Sequence, residues 1–249
     1  MVCPITRSSA KRQPHTSRDV PDWYYLQPPT PPDVEDVPIT STAALIKPDA
    51  VQAPRLVMVG LSGASGVGKT TLAKGLAKRF ASPIAPICMD NFRKKQRFMP
   101  KTQDGRPNWE SPGSIDFEKL CAYLDNVKVE ILAQPTEHLP DTIIIVVEGF
   151  LLFHNKAMCE RLHVHLWVEA DCDTCLRRRL RRNSRKDPDC ASKYCNTVWP
   201  QYQLYRQEQL NNVPAAVHLN GTTLAPQLLN LAVAACTEYC ARPTQRVTT

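Results

Sequence analysis

The chain has 249 residues, 43% hydrophobic and 22% charged, enough apolar material for one or two domains with a real core. No apolar run reaches the ~18 residues of a membrane helix, because the longest, Ile143 to Phe153, is cut by Glu148. The net charge of +7 is concentrated: residues 1–54 carry five Lys/Arg against six Asp/Glu, and seven positive charges of the body fall at Arg177, Arg178, Arg179, Arg181, Arg182, Arg185 and Lys186, which excludes a generic nucleic-acid surface and leaves one anion-seeking spot.

Residues 1–54 hold ten of the 22 prolines, including PPTPP at 28–32, and no glycine. Such a segment buries too little apolar surface to offset its ordering entropy and is expected to be a mostly disordered extension. Short stretches such as Trp23–Leu26 or Ala43–Ile46 could dock on the body, and a protein partner for the proline-rich head is the alternative to a plain tail. The first residues lack the apolar stretch of a secretory signal, so a cytoplasmic protein is expected, with nuclear residence open; the start is basic and carries no acid before Asp19, which leaves organelle targeting as the lesser reading. The ten cysteines read as reduced thiols. Cys172, Cys175, Cys190 and Cys195 are spaced loosely like a zinc site, but the first pair sits in a helix start and the second is too far apart for a zinc knuckle.

From Arg55 the pattern changes. LVMVG (56–60) predicts a buried strand and 69–80 a helix with Leu72, Leu76 and Ala77 on one face. A short strand at 84–88 leads to Asp90. Phe117, Leu120, Cys121, Leu124 and Ile131 recur at helical spacing over 116–132, with Asp116 as N-cap. TIIIVV (142–147) is apolar throughout, as in a parallel strand covered on both faces. HVHLWV (163–168) alternates, helices follow at 171–182 and 197–212, AVHLNG (216–221) is a last strand, and 225–240 a last helix. Strands alternating with helices predict an α/β domain over 55–249, a doubly wound parallel sheet flanked by helices.

The strongest motif is Gly63, Ala64, Ser65, Gly66, Val67, Gly68, Lys69, Thr70, which fits G-x-x-x-x-G-K-[ST] between a predicted strand and helix, with Thr71 following. Glycines let successive N–H groups point inward at a polyphosphate, and the helix start adds positive potential. Lys69 can reach the β- and γ-phosphates and the Thr70 hydroxyl can hold Mg²⁺. The fold is therefore expected to be of P-loop NTPase type, with ATP bound.

Asp90 follows the second strand, where it could take the proton of an attacking hydroxyl, orient metal-bound water, or merely cap a loop. Glu148 ends an apolar strand, placed to hold the water shell of Mg²⁺ unless it is a strand-end charge; after six apolar residues a carboxylate needs a partner. RRRLRRNSRK (177–186) reads as an Arg-rich lid that clamps phosphates, with a solvated helix face or a nuclear localisation signal as alternatives. Trp109 and Glu110 stand in a loop of turn formers, GRPNWESPGSIDF; they could stack on a base and bond ribose hydroxyls, favouring a cationic pyridinium, or anchor the loop. His163 and His165 read as strand-face residues.

GASGVGKTTLAK, MDNF, NWESPGSIDF, VVEGFLLF, CLRRRLRR and VWPQYQLYRQE resemble, in order and over 56–221, the nicotinamide riboside kinases of the wider uridine kinase group, with the NWESP loop similar to the fungal-type version. The resemblance implies ATP- and Mg²⁺-dependent phosphorylation of a ribosyl 5′-hydroxyl in pyridine nucleotide synthesis, that is, NAD biosynthesis. It implies Thr70 and Asp90 at the metal, beside Glu148 as read from its strand end, and Asp90 as proton acceptor; Lys69 from the loop motif, Asp90 and Arg178 are the expected catalytic residues. Arg178 and Arg182 would face ATP. Arg179, Asn91, Phe92, Trp109 and Glu110 would stand on the acceptor side. The chain departs from the pattern at Asn91, where a second acid is frequent, and at Glu110, where Asp is usual. A monomer acting on a small-molecule nucleoside, without nucleic acid or membrane, is expected. The alternatives are a uridine or cytidine kinase, or a non-catalytic P-loop protein that senses nucleotide.

Overall fold

The structure is a computed structural model that describes residues 54–135, 139–183 and 190–242. The proline-rich head, apart from Pro54, lies outside the described residues, as do Arg185 and Lys186 of the basic cluster.

Five parallel strands form the sheet: β1 (Arg55–Gly63), β2 (Ile87–Cys88), β3 (Thr142–Glu148), β4 (Val164–Glu169) and β5 (Val217–Asn220), in the spatial order β2-β3-β1-β4-β5. The helices are α1 (Lys69–Arg79), α2 (Phe117–Leu132), α3 (Lys156–Glu160), α4 (Cys172–Asn183), α5 (Cys190–Lys193), α6 (Trp199–Asn212) and α7 (Ala225–Ala241). The chain runs outward on one side of β1, to β2 and back to β3, and then crosses to β4 and β5. The carboxyl ends of the strands at that reversal form the crevice in which such sheets hold ligands.

Hydrophobic patterning explains the layers. β1 is paired on both sides, so Val57, Val59 and Leu61 are fully buried, as are Ile143 to Val147 of β3. β1 runs three residues past the predicted 60 because Leu61, Ser62 and Gly63 pair with Leu166, Trp167 and Val168. β2 is an edge strand with one partner and shrinks from the predicted five residues to Ile87 and Cys88. α2 starts as expected: the Asp116 carboxylate accepts from the Lys119 N–H at 3.0 Å, and Leu120, Leu124, Val127 and Ile131 face the core. Two features had no periodic signal, α3 and the segment in which α5 passes through a π-helical turn (Tyr194–Val198) into α6.

Two polar ties fasten the helices to the sheet. The fully buried Gln209 of α6 accepts from the Ser62 hydroxyl at 2.8 Å and from the Phe153 N–H at 3.3 Å. It donates to the Phe150 carbonyl at 3.2 Å, fastening the loop after β3 to β1. Arg55 donates to the Cys240 and Arg242 carbonyls at 2.8 and 2.9 Å, closing the end of α7 onto the start of β1. His163 and His165 serve the strand as expected: His163 Nδ1 accepts from the Met58 N–H at 2.8 Å, and His165 Nε2 lies 3.1 Å from the Cys159 carbonyl.

Candidate active site

The loop between β1 and α1 is a cradle only glycine can build. Gly63, Gly66 and Gly68 have φ of 142°, 91° and 113°, and Gly68 caps α1 in the left-handed region. A Cβ on Gly63 would lie 2.1 Å from the Val168 carbonyl oxygen, and one on Gly66 2.4 Å from that of Cys175, so the loop is pressed against β4 and α4. Ala64 and Val67 are buried beneath it, while Ser65 is half-buried. Lys69 is buried too, its ammonium donating to the Gly63 and Ala64 carbonyls at 2.8 and 3.0 Å. Burial pulls its pKa down against the opposing charges of Glu148 and Asp90. Both carboxylates therefore lie within electrostatic reach of the cradle's cation.

Glu148, 5% exposed at the end of β3, has the partner its burial demands: the Thr70 hydroxyl donates to its Oε1 at 2.7 Å. Thr71, next in the same turn, is exposed. Cys88 faces Glu148 in the strand register, and burial, then the charges of Glu148 and Asp90, push its thiol up. Asp90 stands two residues on, in a 3₁₀ turn (Met89–Phe92), half-exposed. Thr70, Glu148 and Asp90 offer hard oxygens of the kind Mg²⁺ prefers. Among the described residues no cluster of three or more His, Cys, Asp or Glu could hold a metal ion by itself, and the described cysteines are free. The oxygen set thus fits an ion that keeps its waters and binds with phosphate, and does not fit a protein-only cage.

Trp109 and Glu110, expected on the acceptor side, lie on a second loop. Backbone bonds tie it to the Asp90 turn: Lys94 N–H to the Ser114 carbonyl at 2.9 Å, and Asp116 N–H to the Phe92 carbonyl at 2.8 Å. Trp109 and Glu110 are half-buried on this loop. Burial raises the Glu110 pKa, with Arg93, Arg179 and Lys193 opposing and Asp90 adding to the shift, so five charged groups share this side. Asn91 is exposed, and the Phe92 ring packs in the core at 5.3 Å from the Tyr123 ring.

α4 brings two of the predicted arginines onto the cradle. Arg178 Nη1 donates to the Val67 carbonyl at 2.8 Å, and Arg179 Nη1 to the Ser65 hydroxyl at 2.6 Å. Arg182 is exposed one turn further on. Thr174, Arg177, Arg178, Arg181 and Thr222 line a cavity of about 240 Å³ between α4 and the loop before α7. Tyr194, from the π-helical turn, donates to the Ser65 carbonyl at 2.9 Å and lies under Arg179, 5.6 Å from ring centre to guanidinium. Neither Tyr194 nor Arg93 stands out in the sequence, one being a tyrosine in an irregular stretch and the other one cation among several.

A model of the phosphoribulokinase / uridine kinase family matches residues 58–223. The chain belongs to that family. Human nicotinamide riboside kinase 2 is 31% identical to this kinase over 172 residues, 66% of this chain and 74% of the relative. Human nicotinamide riboside kinase 1 is 28% identical over 169 residues, covering 66% and 84%. A uridine kinase of Chlamydia pneumoniae is 25% identical over 183 residues, covering 66% and 82%. Membership of a P-loop kinase family implies phosphotransfer from bound ATP, typically with Mg²⁺. No helix among the described residues is long and apolar enough to cross a membrane.

Proposed function

We propose that this kinase transfers the γ-phosphoryl group of ATP to the ribosyl 5′-hydroxyl of nicotinamide riboside, giving nicotinamide mononucleotide for NAD synthesis. The observation that carries the reading is the pairing of an aromatic ring and a carboxylate, Trp109 and Glu110, on a loop bonded to the turn that bears Asp90. A pyridinium base is attracted by the ring's face and by the carboxylate's charge. In the reaction, Asp90 accepts the proton of the 5′-hydroxyl while its oxygen bonds to the γ-phosphorus and the bond to the β,γ-bridging oxygen breaks, releasing ADP. Lys69 leaves the Gly63 and Ala64 carbonyls for the phosphates, and Arg178 and Arg182 add charge from the donor side. Arg179 faces the acceptor across the Ser65 hydroxyl. Thr70, Glu148 and Asp90 would hold Mg²⁺, which when bound neutralises the β- and γ-oxygens.

One observation favours a second reading, a uridine or cytidine kinase with the same machinery: the Arg93 guanidinium lies 5.6 Å from the Trp109 ring centre, where a neutral base meets less repulsion than a cationic one. Comparing kcat/KM for nicotinamide riboside, uridine and cytidine separates the two. The expected result is preference for nicotinamide riboside and a fall of at least ~10²-fold in Lys69→Ala and Asp90→Ala. Tight ATP binding with no phosphorylated nucleoside would leave only a nucleotide sensor.

A further inference from the structure

Arg93 is the side chain on which the acceptor half of the site converges. It is 13% exposed, and three oxygens from three places surround its guanidinium. Nη2 lies 3.1 Å from Asp90 Oδ1, and Nη1 donates to the Trp109 carbonyl and to the Ser114 hydroxyl, the latter at 3.2 Å. Its guanidinium carbon lies over two rings, with the Phe150 centre at 5.1 Å and the Trp109 centre at 5.6 Å. Its backbone forms an antiparallel bridge with Ile115. One residue thus touches the proton acceptor, the loop carrying Trp109 and Glu110, and the loop that follows Glu148.

We infer that Arg93 is a positioning and specificity-determining residue of the acceptor site: it fastens Asp90 to the Trp109 loop and narrows the preference for a cationic over a neutral base. The inference rests on the nucleoside-kinase reading above. The fastening follows from the fork geometry. A planar guanidinium can engage Asp90, the Trp109 carbonyl and Ser114 at once, whereas an ammonium on a flexible stem cannot hold the same three oxygens in fixed directions. With Oδ1 buried and ion-paired with Arg93, though without a hydrogen bond, Oδ2 is the oxygen left to the acceptor hydroxyl. The selectivity follows from charge. A base stacked on Trp109 lies several ångströms from the Arg93 cation, while Glu110 attracts it and Arg179 and Lys193 repel it. Removing Arg93 takes away one repulsive charge and leaves Asp90 unpaired, and both changes favour a cationic base over a neutral one.

The test measures kcat and KM for ATP, nicotinamide riboside and uridine with the full chain, Arg93→Gln and Arg93→Lys. In Arg93→Gln, kcat falls about tenfold or more, KM for ATP stays within about twofold, and the kcat/KM ratio of nicotinamide riboside over uridine rises about fivefold or more. Arg93→Lys keeps the charge and so the wild-type ratio, yet its kcat still falls because the fork is gone. A purely structural role would lower both acceptors equally, and an unmoved ratio in Arg93→Gln overturns the selectivity. A KM for ATP that rises as much as the acceptor KM, or wild-type kcat in Arg93→Lys, overturns the fastening. Should Arg93→Gln fail to fold, the lysine variant decides alone, and a ratio shifted by lysine also sinks the proposal. A wild-type chain that phosphorylates no nucleoside removes the nucleoside reading and this inference together, whereas an active wild type with an unmoved ratio removes this inference only.

Discussion

Glu110, proposed to meet the acceptor, shows how burying a single carboxylate can cost the fold. Burial raises its pKa, so the folded chain holds the Glu110 proton more readily than the unfolded chain does. Such a group contributes stability that is complete below the unfolded carboxylate value near about 4.3 and is lost as pH rises through the folded value. At neutral pH Glu110 is therefore a net cost, only partly offset by Arg93, Arg179 and Lys193. Glu110→Gln is expected to unfold at higher urea than wild type at about pH 7, with the gap closing as pH falls towards about 4. Its kcat/KM for the acceptor should fall in parallel, and a variant less stable at neutral pH would contradict the assignment. Gly66 works differently, through backbone. At φ of 91°, with a virtual Cβ 2.4 Å from the Cys175 carbonyl oxygen, it admits no side chain. Gly66→Ala should lose about 2 kcal/mol or more and lower Tm by several degrees, as calorimetry would show.

At the scale of elements, the site is assembled from the ends of strands, and each end is held by a helix. Gln209 illustrates the dependence. It belongs to α6, far along the chain from the cradle, yet it ties Ser62 of β1 to the Phe150 and Phe153 backbone beyond β3. Gln209→Leu leaves a buried hydroxyl, an N–H and a carbonyl without that partner. It should cost roughly 2–3 kcal/mol in urea unfolding with an unchanged slope. A loss under about 0.5 kcal/mol would mean that the loop after β3 is held by packing and by its other bonds, such as those from Asn212 to the Phe153 and His154 carbonyls. The turn between α5 and α6 is a second case. The π-helical turn projects Tyr194 onto Ser65, and a π turn recurs where a helix carries a functional side chain.

For the whole molecule, the proposed donor and acceptor groups come from different elements: the cradle and Arg178 of α4 on the donor side, the Asp90 turn and the loop before α2, with Arg179 of α4, on the acceptor side. Their contributions should separate. ATP with Mg²⁺ at about 100 times its Kd stabilises the folded state by about 2.7 kcal/mol and raises Tm by roughly 5–10 °C. Arg178→Ala, which removes the contact with the Val67 carbonyl, should lose most of that rise. Trp109→Ala should keep it while its acceptor KM climbs. A Trp109→Ala variant that also lost the nucleotide shift would show that the halves are not independent.

Local chemistry carried much of this protein. The cradle was legible because its glycines, lysine and threonine must be contiguous, and the helices and central strands because burial imposes a period on the chain. α2 and its Asp116 cap appeared within a residue of their predicted places. The proton-acceptor candidate and its Mg²⁺-side neighbour Glu148 were legible as carboxylates following apolar strands. Only the folded chain revealed that Thr70 bonds Glu148 and that Arg93 grips Asp90, Trp109 and Ser114 together. The same holds for Gln209 and Tyr194, which lock loops they adjoin only in space. The physical reason is one of range: backbone propensity and hydrophobic period act over a few residues and leave a mark in the order of amino acids. A guanidinium that meets three oxygens from separate segments leaves none until the sheet has brought those segments into contact.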